Sequence, residues 1–329
     1  MSGVYPWQQG LWQDLRAYMA QQRIPQALLL SGRAGWGKRH LAQVFASALL
    51  CRNLSSEQTA CGHCQSCKLL QAETHPDYLF IEPDEVGKAI GIDKIRQLIA
   101  KLALKPHFDS NRVVLIQPAE ALNIASANAF LKCLEEPTER TCIILLSEQP
   151  GRLPATIRSR CQKISCRMPD QSMAVSWLQQ QGVDSDQALL LALANGSPLL
   201  AKRYAEQQII TRRQDYFSQW LQIAQGKRNL LSVAEQWQKQ EGLALSVVLN
   251  WLANWITDII KLKMDPEVAE LRNPDFKKSL QGLAERLELK RLYVYYDKIL
   301  VAASQLSTQV NKQLLVEQLL IDWSQLNLR

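Results

Sequence analysis

Residues 28–50 read LLLSGRAGWGKRHLAQVFASALL, and this stretch decides the fold. The apolar run at 27–30 predicts a short buried strand. A turn punctuated by Gly32, Gly35 and Gly37 follows, and then a segment with Leu41, Val44, Phe45 and Ala48 at helical spacing. Strand, glycine-rich turn and helix are the setting of a phosphate-binding loop. Glycine lets backbone amides turn inward without a Cβ clash, and the helix N-terminus favours an anion. Gly32 to Lys38 has the G-x-x-x-x-G-K spacing, but Arg39 stands where the motif requires the Ser or Thr hydroxyl that meets magnesium.

A working site also needs a strand that ends in a metal-binding carboxylate. The best match is the β-branched run at 113–116, and it ends in Gln117-Pro118-Ala119-Glu120. An amide does not supply the charge of a carboxylate, and Pro118 cannot act as a base. Glu120, three residues beyond Gln117, is expected on another face of the turn. Two independent deficits thus predict that the chain does not hydrolyse nucleotide. Lys38 and the three glycines persist, so binding without turnover stays open.

The 329 residues suffice for two or three domains, and 47% hydrophobic content is ordinary for a soluble protein. A net charge of +7 suits an acidic partner without requiring one. Residues 1–10 carry no basic and apolar leader pattern, and the apolar stretch 243–260 is interrupted by Asn250, Asn254 and Asp258. The expectation is a soluble, cytoplasmic protein with no membrane span.

Working outward from the loop, residues 7–22 present Leu11, Trp12, Leu15 and Met19 on one helical face. Beyond the loop, strands are expected at 78–81, 113–116, 142–146 and 163–166. The interleaved helices include one with Ile92, Ile95, Leu98, Ile99 and Leu102 on its apolar side and one at 121–136 closed by Pro137. Alternation of this kind predicts a parallel, three-layer α/β domain over residues 1–168. After Met168-Pro169-Asp170 only helical periodicity remains. A small helical unit at 169–207 contains the turn Asn195-Gly196-Ser197-Pro198, and a larger all-helical region fills 208–329. Most of the nine tryptophans lie beyond residue 170, where helix–helix cores would take them.

Cys61-x-x-Cys64-x-x-Cys67 follows Cys51, which closes the first long helix. Four thiolates in seventeen positions suit one tetrahedral zinc ion, and a closed four-sulfur site leaves no position for substrate. The zinc module at 51–67 is therefore expected to be structural. His63 is the weaker alternative ligand to Cys51. Cys133, Cys142, Cys161 and Cys166 lack ligand spacing and read as packing residues.

The order of glycine loop, four-cysteine module, His75-Pro76-Asp77-Tyr78, Leu131-Lys132-Cys133-Leu134-Glu135-Glu136-Pro137 and Ser159-Arg160-Cys161 resembles the AAA+ clamp-loader subunits of bacterial DNA polymerase III. The degraded nucleotide residues resemble the non-hydrolysing kind and not the gamma/tau kind. The resemblance is carried by motif over the first ~170 residues, and further on by Gly196-Ser197-Pro198 and the final helix.

The resemblance implies a RecA-like AAA+ domain, a helical lid and a C-terminal collar. It implies partners, the gamma/tau and delta subunits in a hetero-pentamer, and contact with the sliding clamp and primer-template DNA through the complex. Arg160 would be an arginine finger lent to a neighbour's ATP site, with Arg158 a further basic group nearby. Ser147 stands at the γ-phosphate sensing position but reads as a cap or turn residue. Leu199 replaces the lid arginine of the ATPase members, a third deficit. Two rivals remain: an active AAA+ ATPase with Glu120 as the metal-side carboxylate, and a zinc-bearing DNA-binding module.

Overall fold

Ala27–Ser31 forms β1 of a five-stranded sheet in the computed structural model, which describes residues 3–85, 87–108, 111–136, 138–239, 243–306 and 310–326. The chain divides into two compact units, Met1–Lys202 and Arg203–Arg329. The first unit runs α1 (Gln9–Ala20), β1, α2 (Lys38–Leu50), α3 (Gln65–Gln71), β2 (Tyr78–Ile81), α4 (Ile92–Leu102), β3 (Arg112–Ile116) and α5 (Ile124–Glu135). It continues with β4 (Thr141–Ser147), α6 (Ala155–Ser159), β5 (Gln162–Ser165), α7 (Gln171–Gln180), α8 (Gln187–Leu193) and α9 (Pro198–Glu206), within which the division falls.

All strand pairs are parallel, in the order β2-β3-β4-β1-β5. Successive side chains of a strand point to opposite faces, so each strand feeds two cores. Leu28, Leu30, Val113, Leu115, Ile144 and Leu146 pack on one face with Trp12, Leu15, Leu41 and Phe45 of α1 and α2. Leu29, Val114, Ile116, Ile143 and Leu145 pack on the other with Ile95, Leu98, Ala127 and Phe130 of α4 and α5. This is the three-layer parallel α/β arrangement expected for residues 1–168, with the glycine loop at the carboxyl end of β1.

Most expected boundaries shift by a residue or two. The helix expected at 121–136 instead opens with a 3₁₀ turn at Ala119–Ala121, and α5 starts at Ile124. The reason is Asn123: its side-chain oxygen accepts from the Ser126 amide and sets a new N-cap. Pro137, expected to close this helix, lies outside the described residues. Ser147 is not a cap or turn residue. It is the last residue of β4, in register with Ser31.

The second unit is all helix among its described residues: α10 (Ile209–Ala224), α11 (Leu230–Lys239), α12 (Leu245–Met264), α13 (Lys277–Arg286), α14 (Leu289–Gln305) and α15 (Lys312–Leu326). Trp220, Trp255 and Trp323 are wholly buried. Trp220 and Trp323 stack at 3.8 Å between centroids, and Trp323 Nε1 donates to the Trp220 carbonyl at 2.9 Å. A polar knot completes this core. The buried Arg213 guanidinium donates to Asp275 at 2.7 Å and to Asn273 at 2.5 Å, and Asn273 donates to the buried Asp258 at 2.7 Å. Among the described residues no helix is long and apolar enough to cross a membrane.

Candidate functional site

The glycine loop is built as its sequence requires and is closely braced. Gly35 and Gly37 take φ of +75° and +84°, where an L side chain is strained. A Cβ on Gly35 would collide with Ser197 Oγ, and one on Gly37 would lie 2.7 Å from Gln8 Nε2 and 2.8 Å from Tyr5. The Trp36 carbonyl accepts from Trp7 Nε1 at 3.0 Å and Gln8 Nε2 at 3.1 Å. At the start of α9, the Ser197 hydroxyl accepts from the Leu200 amide at 3.2 Å. The loop is therefore held by the N-terminal segment on one side and by Ser197 on the other.

Lys38 opens α2 after Gly37, which has no side chain to cap the helix. Its ammonium is buried and donates to Glu148 Oε1 at 2.9 Å and to the Arg33 carbonyl at 3.4 Å. Glu148 is held in place by Glu120. One Glu120 oxygen accepts from the Glu148 amide at 2.8 Å and from the Gln149 amide at 3.1 Å. Glu120, the carboxylate on which the active-ATPase alternative depends, therefore pins the turn after β4. Arg39, at the hydroxyl position, lies 4.8 Å from the Phe80 ring centroid in a cation–π contact. Gln117 Oε1, Glu120 Oε2 and Ser147 Oγ are buried without a hydrogen-bond partner.

Arg160 caps the C-terminus of α6, two residues before β5 begins. Its guanidinium donates to Glu135 Oε1 at 2.6 Å and to the Thr156 carbonyl at 2.9 Å. The pair remains wetted, with side-chain exposures of 35% for Arg160 and 49% for Glu135. The Leu-Lys-Cys-Leu-Glu-Glu and Ser-Arg-Cys strings thus meet in space. Arg158, close by, keeps its Nε buried without a partner.

Cys51, Cys61, Cys64 and Cys67 converge, with all four Sγ atoms within 4.8 Å of one another. The separations are 4.0 Å for Cys51–Cys64, 3.9 Å for Cys61–Cys67 and 3.7 Å for Cys51–Cys67. A tetrahedron with metal–sulfur bonds of about 2.3 Å has sulfur–sulfur edges of about 3.8 Å. The cluster can therefore hold a metal ion.

Backbone amides already serve the sulfurs. Cys61 N donates to Cys51 Sγ at 3.3 Å, Cys64 N to Cys61 Sγ at 3.4 Å, and Cys67 N to Cys64 Sγ at 3.4 Å. Burial pushes the Cys67 thiol up to about 12. At Cys64 burial also acts upward, but the amides of Cys67 and Arg52 and the neighbouring thiols outweigh it and bring the group to about 6. His63 turns its Nδ1 to the Cys61 carbonyl at 2.8 Å and stands outside the cluster.

His75-Pro76-Asp77 fastens the cysteine module to the sheet. The His75 ring accepts from the Asp77 amide at Nδ1, so Nε2 carries the proton and donates to Ser66 Oγ at 2.8 Å. Ser66 in turn donates to the Leu50 carbonyl at 2.6 Å. The buried Asp77 carboxylate accepts from the His107 and Phe108 amides, each at 2.9 Å, and lies 3.7 Å from the Arg112 guanidinium.

Two family profiles match, one described as DNA polymerase III, delta subunit, over residues 7–170, and one as DNA polymerase III, delta subunit, C terminal, over residues 207–325. The DNA polymerase III subunit delta' of Pseudomonas aeruginosa is 36% identical over 340 aligned residues, covering 99% of each chain. The chain belongs to the delta-prime family of DNA polymerase III subunits. The Escherichia coli member is 32% identical over 321 residues, covering 96% of this chain and 94% of that one. A gamma subunit-related protein of DNA polymerase III from Thermotoga maritima superposes with a TM-score of 0.44 at 16% identity, over 95% of this chain and 99% of that one.

Sequence reasoning reached Lys38, Arg160 and the four cysteines but missed their partners in this delta-prime member. Glu148, Glu135, Ser66 and the Trp7-Gln8 brace carry no spacing signal. Lys38 and Glu148 are separated by 110 positions and meet only because β1 and β4 are neighbours.

Proposed function

We propose that this chain is the non-hydrolysing wedge of a clamp loader, helping to place the sliding clamp on primed DNA as part of the DNA polymerase III holoenzyme. The carrying observation is the state of its own nucleotide pocket. The one lysine that would meet phosphate is neutralised by Glu148, while Arg39 and Gln117 stand at the positions of the magnesium-side groups. Glu120 supports this reading against an active ATPase, because one of its oxygens is committed to the turn after β4.

The chemistry is then lent to a neighbour. Arg160, reachable from solvent and tied only by a wetted ion pair and one carbonyl, is the arginine finger that stabilises γ-phosphate charge in an adjacent gamma/tau subunit. Residues 1–168 form the AAA+ body, 169–207 the lid and 208–329 the collar that joins gamma/tau and delta in a cytoplasmic hetero-pentamer. Primer-template DNA and the clamp are met through that complex. The four cysteines hold a structural zinc ion that shapes residues 51–67.

The test is a complex reconstituted with Arg160→Ala. Assembly is expected to persist while DNA-stimulated hydrolysis at the adjacent site falls by about a thousandfold or more, since such arginines contribute about three to five powers of ten. Undiminished hydrolysis refutes the finger. Magnesium-dependent ATP turnover by the isolated chain refutes the non-hydrolysing reading.

A further inference from the structure

We infer that Glu148 is an internal substitute for phosphate, a carboxylate plug that closes a loop otherwise still able to take a polyphosphate. The inference rests on the reading of the pocket as non-hydrolysing and adds what would oppose a nucleotide there: one side chain fills the charge requirement of Lys38.

The loop retains what an anion needs. Gly35 and Gly37 keep the left-handed backbone that turns amides inward, and α2 begins at Lys38 with no side chain capping its first turn. Lys38 is only 6% exposed at its side chain, so its ammonium is a buried charge that must be paired. The structure pairs it with Glu148 at 2.9 Å.

Glu148 is not a stray surface acid that happens to lie near. It follows Ser147, whose carbonyl accepts from the Gly32 amide at 3.1 Å and so places the end of β4 against the loop. Its own amide, with that of Gln149, is fixed by Glu120. Glu120 is thus a positioning residue for the plug. Beside it, Ser147 Oγ is fully buried and has no hydrogen-bond partner, a polar atom left unsatisfied at the mouth of the loop.

A phosphate oxygen and the Glu148 carboxylate would compete for the same ammonium and repel each other at short range. Removing the acid therefore frees Lys38 and lifts the repulsion in one step.

The test is calorimetric titration of the full chain with inorganic pyrophosphate and with ATP, for wild type, Glu148→Gln, Glu148→Ala and the double variant Lys38→Ala/Glu148→Gln. Glu148 is 42% exposed at its side chain but is the ion-pair partner of the buried Lys38, so a thermal melt establishes that each variant is folded before titration, and Glu148→Gln keeps a hydrogen-bond acceptor for the ammonium. Glu148→Gln and Glu148→Ala are expected to bind both ligands at least about tenfold more tightly than wild type, a change of about 1.4 kcal/mol. The double variant is expected to lose the gain.

Equal affinities in wild type and both Glu148 variants overturn the plug while leaving the non-hydrolysing reading intact. A gain that survives loss of Lys38 overturns it too, because the ligand would then sit elsewhere. ATP turnover by the wild-type chain alone overturns the non-hydrolysing reading, and the plug falls with it.

Discussion

Arg160 Nη2 and Glu135 Oε1 lie 2.6 Å apart, so the arginine is already paired within its own chain. An ion pair this exposed contributes about 0–1 kcal/mol. On the proposed reading, a neighbour's γ-phosphate has this weak pair to displace, and Glu135 holds the free guanidinium in a defined place. Glu135→Ala is expected to lower folding stability by less than about 1 kcal/mol. In the reconstituted complex it should keep ATP hydrolysis, unlike Arg160→Ala. Denaturant melts and steady-state hydrolysis check the two halves, and a loss as deep as that of Arg160→Ala would make Glu135 part of the active arrangement.

The cysteine cluster should carry about one zinc per chain by elemental analysis. Binding takes all four sulfurs as thiolates, so Cys67, whose thiol burial pushes up, must give up its proton to the metal. Metal uptake is expected to release protons and to weaken steeply below neutral pH. Cys64→Ser with Cys67→Ser should abolish uptake and loosen residues 51–67. A fully folded chain that never binds metal at any pH would end the assignment.

Gly35 is the most demanding position in the loop. Gly35→Ala puts a methyl group at φ +75° and into Ser197 Oγ, and a loss of about 1–3 kcal/mol is expected from the backbone alone. Ser197→Ala in the same chain removes the colliding hydroxyl, although it also removes the acceptor for the Leu200 amide. Partial recovery of Tm in the double variant would locate the clash; none would mean that backbone strain carries the whole effect.

Stability should fall in mild acid through His75. Burial holds this imidazole below its ordinary value, with Asp77 opposing and His107 adding to the depression. The unfolded chain therefore takes up the proton first as pH falls below about 6.5. Folding free energy drops from there until the folded-state value is reached, and flattens below it. His75→Gln should reduce the slope of Tm against pH between about 5 and 7, measured with excess zinc so that metal loss does not contribute. An unchanged slope would place the titrating group elsewhere.

The buried knot of the second unit should be intolerant of partial removal. Arg213→Ala strands the Asp258–Asn273–Asp275 cluster without its cation, and a cost of about 3–5 kcal/mol is expected. Equilibrium denaturation checks this, and a cost below 1 kcal/mol would show that water replaces the guanidinium.

The parallel sheet was legible because each strand is a short apolar run bounded by polar residues, and the four ligating cysteines because their spacing is local. Ser147 was misread, since a serine at the end of an apolar run signals a turn, whereas here register with Ser31 extends the strand. Asn123 gives no cap signal in the sequence because the apolar pattern runs through it. The pairings of Glu148 with Lys38, Glu135 with Arg160 and Gln8 with Trp36 are not legible in the sequence, although Glu135 itself stands inside the quoted string. Each joins residues that the topology brings near from far along the chain, and periodicity carries no such information.

The Trp220–Trp323 stack ties the first helix of the second unit to its last. Closing a loop of 103 positions costs about 4 kcal/mol in chain entropy, so this clasp is worth its ordering only when the helices between are already folded. The unit should then melt in a single step, with indole fluorescence and helical ellipticity changing together.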